Sequence, residues 1–110
     1  MGENRLLAAS HRKTVEAFVA EAKKRLSENL VDILMYGSVA RGTAGPESDI
    51  DLIIIVQDNP VEAQMSLSAL AFDIMLQTGE YVSPQVMQPG DLKRDTIFLH
   101  NVREEAVHVL

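Results

Sequence analysis

The chain has 110 residues, a length that fits one domain and leaves no room for a second. With 46% hydrophobic and 24% charged residues, it has the composition of a folded protein and not of a disordered one. The absence of cysteine excludes disulfides and thiolate metal sites, so that a bound metal would have carboxylates or histidines as its ligands.

The chain has a formal net charge of -6, and its charged residues are unevenly distributed along the sequence. Between Gly42 and Leu92 there is no Lys or Arg, and the same stretch contains eight Asp or Glu residues. Such an anionic stretch repels a phosphate backbone and attracts divalent cations, which makes extended nucleic-acid binding unlikely. The first ten residues lack the apolar run of a signal peptide, and the aliphatic run 52–56 is too short to span a bilayer, so we expect a cytoplasmic protein with no membrane contact.

Apolar periodicity predicts the secondary structure in chain order. Three helices are predicted, at about 4–29, 60–78 and 97–104, where Pro60 opens the second and Gly79 ends it. Strands are predicted at 30–36, 49–56, 81–87 and 106–110, with a loop rich in Gly, Ser and Thr at 37–48. Pro84 within the third strand favours an edge position, because proline cannot donate a ladder hydrogen bond.

The second helix is unusual because eight of the ten residues from Leu67 to Leu76 are apolar. A helix that is apolar on more than one side must be covered on more than one side. Either the domain itself covers this helix, or part of the helix is an interface. For the interface the sequence predicts a homodimer or a helical partner protein, with Met65 and Leu67 as the outward apolar residues.

The chemistry-bearing segment runs from Gly37 to Asp51 and reads GSVARGTAGPESDID. Residues two apart on a strand face the same way, so Asp49 and Asp51 would lie on one face with Cα atoms about 6.5 Å apart. Two such carboxylates can hold hard divalent ions, which position and polarise the groups of an in-line displacement at phosphorus. The pair on its own also fits two solvent-facing residues at the start of a strand.

The loop before these aspartates resembles a phosphate cradle. Gly37 leaves backbone amides open to a ligand, Ser38 adds a hydroxyl, and Arg41 is the only base between residues 26 and 92. An ordinary surface turn with one ion-paired arginine is the alternative. A Walker A loop is excluded because Thr43 stands where lysine is required, and no G-x-G-x-x-G follows any strand.

Taken together, the spacing G-S-x10-D-x-D resembles the signature of the DNA polymerase β-like nucleotidyltransferase superfamily, and in particular its small single-domain minimal nucleotidyltransferases. The resemblance implies an α/β (α+β) fold, a small mixed sheet flanked by helices as in the polymerase β palm, over one domain at 1–110. It further implies that Gly37, Ser38 and Arg41 bind a nucleoside triphosphate, with ATP as the expected one, while Asp49 and Asp51 are catalytic and ligate Mg²⁺. Proteins of this kind are often encoded beside a HEPN-domain protein, and some are antitoxins that transfer AMP from ATP to a tyrosine of that partner.

One departure from the family pattern concerns the third carboxylate that active members usually carry on the next strand. Here that strand offers Ser83 and Gln85 on its polar face, while Glu80 has the parity of the apolar face and Asp91 lies beyond a turn. Two hypotheses follow. The chain is an enzyme that transfers AMP to a hydroxyl of a protein partner, or it is a weakened nucleotidyltransferase-like module that mainly binds a HEPN-type partner.

Overall fold

The computed structural model describes residues 9–37, 49–94 and 96–110, with side chains from residue 11 onward. The α-helices in this part of the chain are α1 (Ala9–Leu26), α2 (Pro60–Thr78) and α3 (Ile97–Glu105). The strands are β1 (Leu30–Tyr36), β2 (Ile50–Val56), β3 (Val82–Met87) and β4 (Val107–His108). Short 3₁₀ turns cover Ser27–Asn29 and Pro89–Lys93. None of the helices described here is long and apolar enough to cross a membrane.

The boundaries differ from the prediction at a few ends. The first helix ends at Leu26, because a 3₁₀ turn in which Ser27 has a φ of 49° precedes β1; residues 4–8 of the predicted helix lie outside the described residues. The second strand begins at Ile50, so Asp49 immediately precedes it. The last strand is limited to Val107 and His108, which are the residues that pair with β1.

The four strands form one mixed sheet, as the sequence predicted, and their order in it is β3-β2-β1-β4. The pairs β1/β2 and β1/β4 are antiparallel, whereas β2 and β3 run parallel because α2 connects them. Within this register Asp51 lies opposite Tyr36 of β1 on one side and Ser83 of β3 on the other.

Helices cover the sheet on both faces. On one face, α1 and α2 pack on alternate residues of β2, namely Ile50, Leu52, Ile54 and Val56. On the other face, α3 packs through Leu99 and Val102 against Ile53 and Ile55. Because successive strand residues alternate between faces, Asp51 shares the α3 face with Ile53.

Helix α2 is apolar on more than one side, but only one side of it packs on the sheet. It begins at Pro60 and is followed by Gly79 with a φ of 79°, as predicted. Its buried residues are Ala63, Leu67, Leu70, Ala71 and Ile74. The expectation that Leu67 points outward is therefore wrong, because this side chain faces the sheet; Met65 is exposed, as predicted. The large exposed apolar side chains of α2 are named here the outer stripe: Val61, Met65, Phe72 and Leu76.

Strand β3, which contains Pro84, lies at the edge of the sheet, and this confirms the edge position that the proline favoured. The Pro84 carbonyl points away from β2 and accepts a hydrogen bond of 2.9 Å from Nε2 of Gln64 on α2. The N–H of Val86 donates to Oε1 of the same glutamine at 2.8 Å. The missing N–H of the proline therefore falls on the open edge, where no ladder bond is lost.

Candidate functional site

The site is built around Asp51, near the start of β2 on the α3 face of the sheet. Its carboxylate is partly buried between β1 and β3, where Tyr36 and Ser83 are its register neighbours. Burial raises the pKa of Asp51 above its usual value, and the neighbouring charge of Asp49 raises it further. The negative charge at this position is therefore poorly compensated by the described residues.

Asp49 lies two residues before Asp51 and is exposed to solvent just before the strand begins. The charge of Asp49 contributes to the raised pKa of Asp51, so the two carboxylates lie close enough to repel each other. A pair of repelling carboxylates provides the hard oxygen ligands that Mg²⁺ prefers, and Mg²⁺ commonly completes its shell with water and substrate phosphates. The donor set therefore fits this ion. Among the described residues no cluster of three or more His, Cys, Asp or Glu side chains could hold a metal.

Gly37 ends the β1 segment directly against Asp51. Its backbone has a φ of 83°, which side-chain-bearing residues rarely adopt. A Cβ atom on Gly37 would lie 2.7 Å from Oδ2 of Asp51, so any larger residue would collide with the carboxylate. The structure thus brings these two predicted site residues together, whereas Ser38 and Arg41 lie outside the described residues.

Tyr36 forms a wall of the site that the sequence analysis did not identify. Its ring meets Phe98 of α3 edge to face, with centroids 5.5 Å apart and an interplanar angle of 84°. Burial raises the pKa of the Tyr36 hydroxyl, and the charge of Asp51 raises it further. The position of Tyr36 directly before Gly37 was an available signal, but nothing local in the sequence indicated its contact with Phe98.

The β3 residue next to Asp51 is Ser83, which confirms that the polar face of the third strand carries no acid at this point. Glu80 is held on the opposite side, where it accepts a hydrogen bond from the Thr14 hydroxyl and lies 3.7 Å from Nε2 of the buried His11. Since both partners belong to α1, the Glu80 carboxylate is directed to the helix layer. It does not complete a site on the α3 face.

Asp91 is also removed from the site. Its Oδ2 accepts a 2.9 Å hydrogen bond from the N–H of Gln88, and its other oxygen lies 3.5 Å from Arg94. These contacts stabilise the 3₁₀ turn that follows Met87, at the far end of β3 from Ser83. Met87 is four residues beyond Ser83 along the strand, which corresponds to about 13 Å. The acids considered as a third carboxylate thus have structural contacts elsewhere.

The largest cavity described, about 590 Å³, lies away from this site. It is bordered by Arg25 and Asn29 on one side and by Asp58 and Glu62 on the other. Asp58 follows the last residue of β2, whereas Asp51 is near its first. The candidate site is therefore separate from this cavity.

Part of this chain is similar in sequence to known proteins. The sequence profile of the family described as "Nucleotidyltransferase domain" matches residues 15–100. A Methanocaldococcus jannaschii protein assigned as a protein adenylyltransferase is 29% identical over 86 residues, which cover 76% of this chain and 58% of that protein. The chain thus spans less than two thirds of this relative.

Solved structures of similar fold include a chain from a toxin–antitoxin complex with AMP-PNP, at a TM-score of 0.59 and 20% identity over 84% of this chain and 70% of that one. Another comes from a complex of a tri-AMPylated Shewanella oneidensis HEPN toxin with an MNT antitoxin. Its TM-score is 0.54 at 15% identity, and the match covers 87% of this chain and 69% of that one. At these identities the likeness shows the fold, a mixed sheet with helices on both faces.

Proposed function

Because the chain belongs to the nucleotidyltransferase domain family, we propose that it transfers AMP from ATP to a hydroxyl group of a partner protein, with Mg²⁺ as cofactor. The observation that carries this proposal is the placement of Asp51 beside Asp49 with the backbone of Gly37 directly against its carboxylate. This arrangement joins a pair of metal-binding oxygens to the start of the loop that would receive the phosphates.

The acceptor in this proposal is a HEPN-type protein. Its support is the name of the Methanocaldococcus jannaschii relative, a protein adenylyltransferase, and the AMPylated HEPN toxin in one structure of similar fold.

In the proposed reaction the acceptor hydroxyl oxygen forms a bond to the α-phosphorus of ATP as the bond from that phosphorus to the bridging oxygen breaks. Pyrophosphate leaves, and the hydroxyl proton is released to water or to a basic group of the partner. Asp49 and Asp51 would hold Mg²⁺, which when bound neutralises negative charge on the phosphates. Gly37 leaves room for close approach of the triphosphate, and Ser38 and Arg41 would bind its oxygens.

Ser83 bears on the expected rate of AMP transfer. It occupies the strand position next to Asp51 and cannot accept the proton of an incoming hydroxyl as a carboxylate would. We therefore expect slow transfer by the isolated chain. The same observation supports the second candidate function, a module that binds Mg-nucleotide and a HEPN-type partner without transferring AMP.

The deciding experiment mixes the purified chain with α-labelled ATP, Mg²⁺ and a purified HEPN-type protein from the same organism. Label on a hydroxyl of the partner, located by mass spectrometry, is the expected outcome. Its loss in Asp51→Asn, together with its retention in Asp73→Asn, would assign the transfer to the site, because Asp73 is an exposed acid on α2. A stable complex without label would favour the binding module.

Nucleotide binding itself is tested by a thermal melt. Mg²⁺ and ATP at 100 times the dissociation constant should stabilise the native state by about 2.7 kcal/mol. Asp51→Asn should remove this shift and Asp73→Asn should not. An unchanged melting temperature of the wild-type chain at millimolar concentrations of both ligands contradicts both candidate functions.

A further inference from the structure

Tyr81 immediately precedes β3, next to the point where β2 begins. Its carbonyl accepts a hydrogen bond of 3.0 Å from the N–H of Ile50, the residue between Asp49 and Asp51. The residue that follows it, Val82, is the register partner of Ile50 in the parallel pair. The backbone of Tyr81 therefore lies one strand spacing, about 4.8 Å, from the segment that carries both carboxylates.

The side chain of Tyr81 is directed to the face of the sheet that carries Asp51. Both of its neighbours in the chain point the other way, since Val82 is buried in the core beneath α1 and α2 and Glu80 accepts a hydrogen bond from Thr14 of α1. Successive side chains of an extended segment alternate between faces, so Tyr81 lies on the α3 face. The tyrosine is 41% exposed, and its hydroxyl has no hydrogen-bond partner among the described residues.

The order of the strands separates Tyr81 from the loop that would receive the phosphates. Strand β2 lies between β3 and β1, so the aspartates have Tyr81 on one side and Gly37 on the other. In an in-line displacement the attacking and leaving oxygens stand on opposite sides of the phosphorus atom. With the triphosphate held at the loop after Gly37, as the proposed function requires, pyrophosphate leaves on the β1 side. An acceptor hydroxyl then approaches from the β3 side, where Tyr81 lies.

A phenolic hydroxyl suits a site without a catalytic base. The β3 position beside Asp51 is Ser83, so the described part of this strand offers no carboxylate to take the proton of an acceptor. Phenols release their proton more readily than the aliphatic hydroxyls of serine and threonine. A tyrosine is therefore the acceptor hydroxyl that depends least on a general base.

We propose that the chain adenylylates its own Tyr81 when no acceptor protein is present, an inference that rests on the proposed AMP transfer. The phenol oxygen of Tyr81 forms a bond to the α-phosphorus of ATP as the bond from that phosphorus to the bridging oxygen breaks. Pyrophosphate leaves on the β1 side, and the phenolic proton passes to water. The product is a phosphodiester between Tyr81 and AMP. It forms within one chain, because the acceptor and the aspartates belong to adjacent strand starts.

Incubation of the purified chain with Mg²⁺ and α-labelled ATP, without any partner, tests the modification directly. We expect label on the chain, up to one AMP per molecule, and tandem mass spectrometry should locate it on Tyr81. γ-Labelled ATP should give no label, because the γ-phosphate leaves with pyrophosphate. Tyr81→Phe and Asp51→Asn should each abolish labelling. Label on Ser83, or on Tyr36 as the second of the two tyrosines, overturns the proposal.

Two defective chains show whether the transfer takes place within one molecule. Tyr81→Phe retains the aspartates but lacks the acceptor, whereas Asp51→Asn retains the acceptor but lacks one aspartate. A mixture of the two should remain unlabelled, and the labelling rate per wild-type molecule should stay constant through a dilution series. Label on the Asp51→Asn chain in the mixture would show transfer between molecules and overturn the proposal.

The accessibility of Tyr81 is measured without catalysis. N-acetylimidazole, which acetylates exposed phenols, should modify Tyr81 faster than Tyr36, whose ring packs against Phe98. Mg²⁺ with α,β-methylene ATP, whose α,β bridge cannot be cleaved, should suppress the acetylation of Tyr81, because the nucleotide then covers this side of the site. Equal reactivity of the two tyrosines, or no protection by the analogue, contradicts the placement of Tyr81 beside the nucleotide.

A HEPN-type protein as acceptor separates the failure of this proposal from the failure of the proposed function. If the wild-type chain labels that protein but is never labelled itself, Tyr81 is not an acceptor and the proposed AMP transfer stands. If neither protein is labelled, the proposed AMP transfer fails and the self-modification fails with it.

Discussion

The backbone of Gly37 lies so close to Asp51 that a Cβ atom placed on it would be 2.7 Å from the carboxylate oxygen Oδ2. Gly37→Ala should therefore displace the carboxylate and strain the backbone, since a φ of 83° is unfavourable for alanine. We expect a loss of about 1–3 kcal/mol in the free energy of unfolding and the loss of the Mg-ATP thermal shift. Urea denaturation and the thermal melt measure the two effects.

Gly79 provides the matched control for this substitution. It has nearly the same backbone angle, a φ of 79°, but a Cβ atom there would meet nothing within 4 Å. Gly79→Ala should destabilise the chain by about 1 kcal/mol through the backbone alone and leave the response to Mg-ATP intact. If both alanine variants lose the ligand response equally, the contact between Gly37 and Asp51 does not matter for binding.

Because the pKa of Asp51 is raised, an uncharged residue at this position should increase the free energy of unfolding by an amount that depends on pH. An acid whose pKa is higher in the native than in the unfolded state binds more protons when folded. Its ionisation therefore lowers the free energy of unfolding as the pH rises from the unfolded-state pKa to the native-state pKa. Without metal, Asp51→Asn should therefore be more stable than the wild-type chain at neutral pH. The difference should vanish below the ordinary pKa of aspartate.

Chemical denaturation at several pH values measures this difference, and Asp73→Asn is the control because Asp73 lies exposed on α2. Addition of Mg²⁺ should reduce the advantage of Asp51→Asn at neutral pH, because the cation compensates the charge of the native aspartate. A wild-type chain that is more stable than Asp51→Asn at neutral pH, without metal, would contradict the electrostatic description of the site.

Ser83→Asp should increase the rate of AMP transfer under the proposed function. The substitution places a third carboxylate on β3 beside Asp51, where it can bind metal and accept a proton from the acceptor hydroxyl. We expect a gain of about tenfold or more in the labelling rate. In the absence of Mg²⁺ the added charge should destabilise the fold, because like charges then repel.

Gln85→Asp is the control for this gain of function. Gln85 shares the polar face of β3 but lies opposite Ile53, about 6.6 Å further along the strand. It should not increase the rate. Equal effects of the two aspartates on labelling would show that added negative charge, and not its position next to Asp51, causes the change.

The side chain of Gln64 should make a measurable contribution to the free energy of unfolding, because it binds the edge strand of the sheet. Its amide donates to the Pro84 carbonyl and accepts from the Val86 N–H. Gln64→Ala should lower the free energy of unfolding by about 1–2 kcal/mol, since these two hydrogen bonds and an exposed one from Gln64 to the Ser68 hydroxyl are lost. Gln64→Glu keeps the acceptor but cannot donate, so it should not restore wild-type stability. Gln77→Ala, at an exposed position on the same helix, should have little effect in the same urea titration.

Local patterns predicted most of the elements because each carries its own signal. The β-branched run of β2, Pro60 and Gly79 at the ends of α2, and Pro84 in the edge strand all act through their own backbone preferences. The placement of Asp49 and Asp51 on one face stays a prediction, because β2 begins at Ile50 and the two-residue period of a strand does not extend to Asp49.

Contacts between distant elements were beyond the reach of the sequence. A helix that is apolar all round gives no indication of which side meets the sheet, so Leu67 could not be distinguished from Met65. The contact of Tyr36 with Phe98 depends on how α3 returns across the sheet. The hydrogen bond from the Thr14 hydroxyl to Glu80 likewise depends on how α1 packs against the rest of the fold.

The amide of Gln64 also restricts how another polypeptide can be recognised at β3. Edge strands commonly recruit extended peptides by adding them as a further strand, and they aggregate by the same route. Here the outward carbonyl of Pro84 and the outward N–H of Val86 are already bonded to a side chain of the chain itself, and proline offers no donor. Sheet extension at this edge is therefore blocked, and recognition there has to depend on side chains.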